Sequence, residues 1–308
     1  MNIILPEKLK EICSDIVKDA PMREHTTFGA GGNVAFLATV GSEEALVQAI
    51  DILEEAQVSW FLLGNGSNIL VADAGYSGVM LKLGADFEKT ETEDNKIIAG
   101  GAAMLSRVAK KAETESLTGL EFASGIPGTV GGAVTMNAGA YGGEMKDVVM
   151  SARIYFPGKG VKTLTTEELH FGYRHSVLKE ERGVLISVVL SLQFGIKKDI
   201  IDKVAELARQ RREKQPLEYH SAGSTFKRPE GSFAGKLIME AGLAGFSCGD
   251  ACVSEKHCGF VINKGNATAS DIYKVIKAVQ ERVKEDSGYE LEPEVILLGD
   301  FRENDGRI

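Results

Sequence analysis

The chain has 308 residues, 44% hydrophobic and 26% charged, a composition of soluble globular proteins and a length that suffices for two or three packed domains. Its formal net charge of −9 argues against a general nucleic-acid binder, which needs a basic face, but leaves room for a local basic pocket. No apolar run reaches the roughly 18 residues of a membrane span, and Pro6 and acidic residues interrupt the N-terminal apolar stretch, so no signal peptide is expected. Four cysteines in a chain of this length are expected to be reduced thiols in the cytoplasm.

Ile3, Leu5, Leu9, Ile12, Ile16 and Val17 recur at roughly helical spacing and predict a helix over residues 2–18. A glycine-rich passage at 25–40 turns and continues as a strand. Residues 42–57 predict a helix that Ser42 can cap, with Ala45, Leu46, Ala49, Ile50 and Leu53 on one face. The strand WFLL (60–63) stops at GNGSN (64–68), and 69–83 is again β-rich. A strand at 96–101 and a helix at 104–115 lead into GIPGTVGGAVTMNAGAYG, residues 125–142. Residues 147–194 read mostly as strands. A charged helix over 198–216 ends before Pro216, and a domain boundary is expected at its start. Beyond it lie a short helix near 234–242, a strand near 259–263, a long helix over 268–286 and a strand at 294–299. The class is α+β.

The Rossmann fingerprint is absent, since GNGSNI carries Ile69 where the third glycine belongs, and so is the G-x-x-x-x-G-K-[ST] phosphate loop. Two glycine-rich loops remain, LLGNGSN and GIPGTVGG. The second fits a helix N-terminus with Pro127 at the first helical position. Backbone N–H groups and the helix dipole hold anions there without lysine; the competing reading is a pair of ordinary tight turns. Cys248, Cys252, His257 and Cys258 crowd together but lack the second ligand pair of a zinc site, so no metal is expected.

LGNGSNILV, GLEFASGIPGTVGGAVTMNAGAYGGE, GYRHS, SAGSTFKRP and LEPEV, in that order, resemble the UDP-N-acetylenolpyruvoylglucosamine reductases. The resemblance covers about residues 23–300. It implies non-covalent FAD in a two-lobed fold of the vanillyl-alcohol oxidase type, followed by a C-terminal α/β substrate domain. The FAD region would span 1–198, in lobes of about 1–83 and 84–198, and the substrate domain 199–308. It further implies that NADPH supplies hydride through FAD to the vinyl carbon of an enolpyruvyl ether on a UDP-sugar.

Arg174 would then hold the substrate carboxylate as charge develops, Ser224 would donate the proton, and Glu294 would stabilise the enol-like state. FAD contacts would come from Gly64, Asn65, Gly66, Ser67 and Asn68 in the first loop. In the second region they would come from Ser124, Gly125, Ile126, Gly128, Thr129, Gly131, Gly132, Asn137 and Gly139, with Val184 beyond it. Tyr173, Lys227 and Arg228 would contact substrate, although many relatives carry Asn at the position of Arg228. The short stretch from Pro229 to Cys258 resembles the compact form of the family, which lacks an extra tyrosine-bearing loop. Two alternatives stay open: a flavin oxidase of the same fold acting on another small substrate, and a nucleotide-sugar sensor that has lost flavin.

Overall fold

The amphipathic stretches form eight helices among residues 7–301, the residues that a computed structural model describes: α1 Glu7–Ile12, α2 Glu43–Glu55, α3 Leu105–Thr114, α4 Val130–Thr135, α5 Val177–Glu180, α6 Lys197–Lys214, α7 Ala234–Glu240 and α8 Ala269–Ser287. The chain divides into two units. The first takes in the chain up to Val17, Phe36–Asn65 and Gly78–Arg211; the second takes in Lys18–Ala35, Gly66–Ser77 and the chain from Arg212 onward.

In the first unit α1 ends at Ile12, because Ser14 donates its backbone N–H to Thr39 O at 2.9 Å and the chain enters the strand Asp15–Pro21, whose residues from Lys18 onward belong to the second unit. Ile16 and Val17 therefore lie on a strand and not on the expected helix, while Ile3 and Leu5 fall outside the described residues. The Ser42 hydroxyl caps α2 by accepting from Ala45 N at 3.2 Å. Leu46, Ala49, Ile50 and Leu53 of α2 are fully buried in one cluster with Leu9, Val79 and Leu81. Each large apolar side chain so buried contributes about 1.5–3 kcal/mol. A five-stranded antiparallel sheet runs in the order Gly160–Thr165, Val149–Phe156, Val184–Ser191, Lys96–Gly100, Thr90–Glu93. Residues of α3 and α4, including Leu105, Val108, Val130 and Val134, share a core with sheet residues Ile97, Ile154 and Val188.

The second unit holds a four-stranded antiparallel sheet, ordered His220–Ser221, Val261–Asn263, Ala251–Val253, Ser247–Cys248. Ile272, Val275, Ile276, Val279 and Val283 recur at helical spacing on α8 and are fully buried in its core. The start of α8 is doubly capped. Thr268 Oγ1 accepts from Asp271 N at 3.1 Å, and the Asp73 carboxylate accepts from Ala269 N and Ser270 N at 2.9 and 2.8 Å. Gly288, at φ +75°, ends the helix. The short strand Ile69–Val71 pairs in parallel with Ile296–Leu298. Among the described residues no helix is long and apolar enough to cross a membrane.

Candidate active site

The two glycine-rich loops meet within the first unit. Asn65 Nδ2 donates to Pro127 O at 2.8 Å, and a Cβ at Gly64 would stand 2.8 Å from Thr129 Oγ1. That hydroxyl is itself the N-cap of α4, accepting from Gly132 N at 3.3 Å. The helix thus begins at Val130 with Thr129 as its cap, and Pro127 stands in the loop before it rather than at the first helical position. The reason is local: Val130 N donates to Ala103 O at 2.9 Å and Gly131 N to Gly101 O at 2.8 Å, which fixes the first turn against the chain ahead of α3.

Those bonds decide which N–H groups can meet an anion. The groups of Val130, Gly131 and Gly132 already have protein acceptors. The backbone N–H groups of Gly64, Asn65, Gly125, Gly128 and Thr129 donate to no acceptor among the described residues. Bare N–H groups on two apposed loops, with no side chain at Gly64, Gly125 or Gly128, are the donor set that a pyrophosphate requires. The side chains of Asn137 and Val184 are 0% and 1% exposed, so a contact of either residue with FAD would come from its backbone. Gly66, in the second unit, has φ +64° and a Cβ there would lie 2.0 Å from His25 O, so only glycine fits this turn.

A cation missed in the sequence stands beside the second loop. Arg211, on α6, packs its guanidinium against Gly125, where a Cβ would meet Nη1 at 2.6 Å. Burial pulls the guanidinium below its ordinary pKa, and no carboxylate among the described residues pairs with it. The run RQRREK reads as a solvated face. The signal lies in spacing: Arg211 follows buried Leu207 by one helical turn and shares its face.

In the second unit a short antiparallel contact sets Glu294 opposite Thr225, the residue that follows Ser224. Glu294 N donates to Thr225 O at 2.8 Å, Lys227 N donates to Glu292 O at 2.8 Å, and Phe226 bridges Pro293. The contact is fixed from behind by Thr225, fully buried, whose Oγ1 accepts from Val261 N at 2.9 Å. Asn68 joins it, donating from Nδ2 to Glu294 O at 3.2 Å. Ser224 is exposed and Glu294 half-buried. Lys227 pairs with the Glu292 carboxylate, and the Arg228 guanidinium lies 4.0 Å over the Phe233 ring. Arg174 belongs to the first unit, in a turn closed by Gly172 and His175, with its guanidinium 5.0 Å over the ring of exposed Tyr173.

Residues 34–164 match the model of an FAD binding domain, and residues 215–298 match the C-terminal domain of UDP-N-acetylenolpyruvoylglucosamine reductase. The reductase of that name from Clostridium perfringens strain SM101 is 51% identical over 285 residues, covering 92% of this chain and 93% of its own. The chain belongs to the UDP-N-acetylenolpyruvoylglucosamine reductase family. Its counterpart from Caldanaerobacter subterraneus subsp. tengcongensis is 47% identical over 302 residues, covering 97% of this chain and all of its own. The crystal structure of UDP-N-acetylenolpyruvylglucosamine reductase from Thermus caldophilus superposes with a TM-score of 0.79 at 36% identity, over 92% of this chain and 98% of that one. UDP-N-acetylenolpyruvoylglucosamine reductases are FAD-dependent oxidoreductases that use NADPH, and the expected FAD-binding fold with a C-terminal domain is borne out. The bare N–H groups of Gly64, Asn65, Gly125, Gly128 and Thr129, with the Arg211 charge, fit the diphosphate of that cofactor.

Proposed function

We propose that this chain performs its family's reaction, reduction of UDP-N-acetylenolpyruvoylglucosamine to UDP-N-acetylmuramate for peptidoglycan synthesis, with Arg174, Ser224 and Glu294 as the groups that act on substrate. FAD, held by the N–H groups of the two loops, would supply the hydride of NADPH for the vinyl carbon of the enolpyruvyl ether. The protein must then supply a cation for the carboxylate on which charge develops and a proton for the ether-bearing carbon. Arg174 provides the first, since a guanidinium grips a carboxylate bidentately. The Ser224 hydroxyl provides the proton, and Glu294 stabilises the enol-like state.

The observation that carries this reading is that Glu294 N meets Thr225 O at 2.8 Å, which brings the backbone of Glu294 to within one residue of Ser224, 70 positions away in the chain. Arg228 and Tyr173, both exposed, are assigned to the UDP-sugar; Lys227 serves there only when it releases Glu292. Gly64, Asn65, Gly125, Gly128 and Thr129 hold the FAD diphosphate through their N–H groups. The reaction is assigned to the cytoplasm, where NADPH and UDP-sugars are supplied.

Ser224→Ala tests the reading in single-turnover kinetics of each half-reaction. NADPH oxidation by the FAD-loaded variant should proceed within about twofold of the parent. Reduction of the enolpyruvyl substrate should slow by about 10²–10⁴-fold, the contribution of a positioned acid. Equal losses in both half-reactions would remove Ser224 as proton donor.

A further inference from the structure

Arg174 sits in the left-handed region, at φ +55°, a conformation that costs a residue with a side chain roughly 1–2 kcal/mol. Its turn is closed by Gly172 N donating to His175 O at 3.1 Å and His175 N donating to Gly172 O at 3.3 Å. Strain of this kind persists only where surrounding contacts over-determine the backbone. Two buried polar side chains do so here, one on each side of Arg174.

The first is Asn137. Its side chain spends every polar atom on protein: Nδ2 donates to Gly172 O at 3.0 Å and to Glu144 Oε2 at 2.9 Å, and Oδ1 accepts from Lys146 N at 2.9 Å. It is fully buried and itself left-handed, at φ +42°, which asparagine tolerates better than most residues. The second is Ser176, also fully buried, whose Oγ donates to Thr135 O at 2.8 Å. Both anchors tie the turn 172–176 to α4 and the residues just after it, the segment whose cap, Thr129, faces Gly64.

We propose that Asn137 and Ser176 are positioning residues for Arg174, holding its strained turn in register with the glycine-rich segment so that the guanidinium is fixed before substrate arrives. This rests on the reading of Arg174 as the carboxylate-binding group. A buried amide with three protein partners is costly to misplace, because each orphaned group loses about 1–3 kcal/mol. The turn is therefore held in one position, and a developing charge meets a pre-set cation.

The test is a double-mutant cycle on the FAD-loaded enzyme, using Ser176→Ala, Asn137→Ser and Arg174→Ala singly and in pairs with Arg174→Ala. Expected for Ser176→Ala and Asn137→Ser are full FAD content, NADPH oxidation within about twofold of the parent, and reduction of the enolpyruvyl substrate slowed at least tenfold. In the Arg174→Ala background the same substitutions should cost less than about twofold further, since the group they act through is gone. A merely structural role would leave the two losses multiplicative, and that result would overturn the proposal. So would full-speed substrate reduction by Ser176→Ala together with a crippled Arg174→Ala. If Arg174→Ala itself runs at full speed, the reading of Arg174 fails instead. Should Asn137→Ser lose FAD, Ser176→Ala, which forfeits one hydrogen bond, carries the cycle alone.

Discussion

Replacing Gly64 with alanine would place a methyl carbon 2.8 Å from Thr129 Oγ1, closer than real Cβ atoms come to anything. Gly64 is not among the glycines with positive φ, so alanine is tolerated by the backbone and gains about 0.4–1 kcal/mol through a less disordered unfolded state. Against this stands the displaced hydroxyl, which caps α4 through Gly132 N, a loss of about 1 kcal/mol. The two terms nearly cancel, so the urea midpoint should move little. FAD affinity should not escape. Moving the Gly64 and Asn65 N–H groups off a diphosphate forfeits charge-assisted hydrogen bonds of about 1.5–3 kcal/mol each. One such bond is roughly 10–150-fold in Kd. Titrating apoprotein with FAD and following flavin fluorescence reads the affinity; urea unfolding reads the stability. Thr129→Gly, a cap exchange costing only a few tenths of a kcal/mol, clears the obstructing atom. Gly64→Ala with Thr129→Gly should therefore regain most of the affinity that Gly64→Ala alone loses. Parental affinity in Gly64→Ala, or no recovery in the double variant, would refute the apposition of the two loops as the diphosphate cradle.

Arg211→Met should weaken FAD binding about tenfold or more in the same titration while leaving the urea midpoint unchanged or raised, because a half-buried guanidinium with no carboxylate partner is a liability without its anion; parental affinity would remove Arg211 from the cofactor site. His257 is held below its ordinary value of 6.5 by burial, and its Nδ1 accepts from Gly259 N at 3.2 Å, a role open only to the neutral ring. The unfolded chain therefore takes up that proton first as pH falls. Stability is fully present above 6.5 and declines below it, and His257→Gln should flatten that decline in urea midpoints measured between pH 7 and 5.

Much of the fold was legible where local signals agree with packing. α2 and α8 each carry an apolar face, Leu46, Ala49, Ile50 and Leu53 on one and Ile272 through Val283 on the other, and both formed where they were expected, α2 with its Ser42 cap and α8 with a cap at Thr268 that the sequence analysis did not single out. The first helix was over-extended because apolar spacing cannot see that Ser14 finds its partner at Thr39. Pro127 misled for a similar reason: its fixed φ suits a helix start, but the first N–H groups of α4 are taken by Ala103 and Gly101, which sequence proximity does not reveal. The bare loops could be read from glycine content alone. Arg211 and the burial of Asn137 could not, since one hides in a charged run and the other's partners, Glu144, Lys146 and Gly172, are fixed only by the folded chain.

The parallel pairing of Ile69–Val71 with Ile296–Leu298 has a consequence for biosynthesis. Residue 69 leaves the ribosome long before residue 296 is made, a delay of roughly 10–45 s at 5–20 residues per second. Through that interval the apolar Ile69, Leu70 and Val71, all buried in the finished protein, have no native partner strand. The same holds for Phe28, whose carbonyl finally accepts from Asn263 Nδ2 at 2.9 Å. Slow stretches of translation and chaperone supply should thus govern yield more than the stability of the finished fold does, and a nascent chain halted near residue 211 should expose these segments to protease or to a holdase.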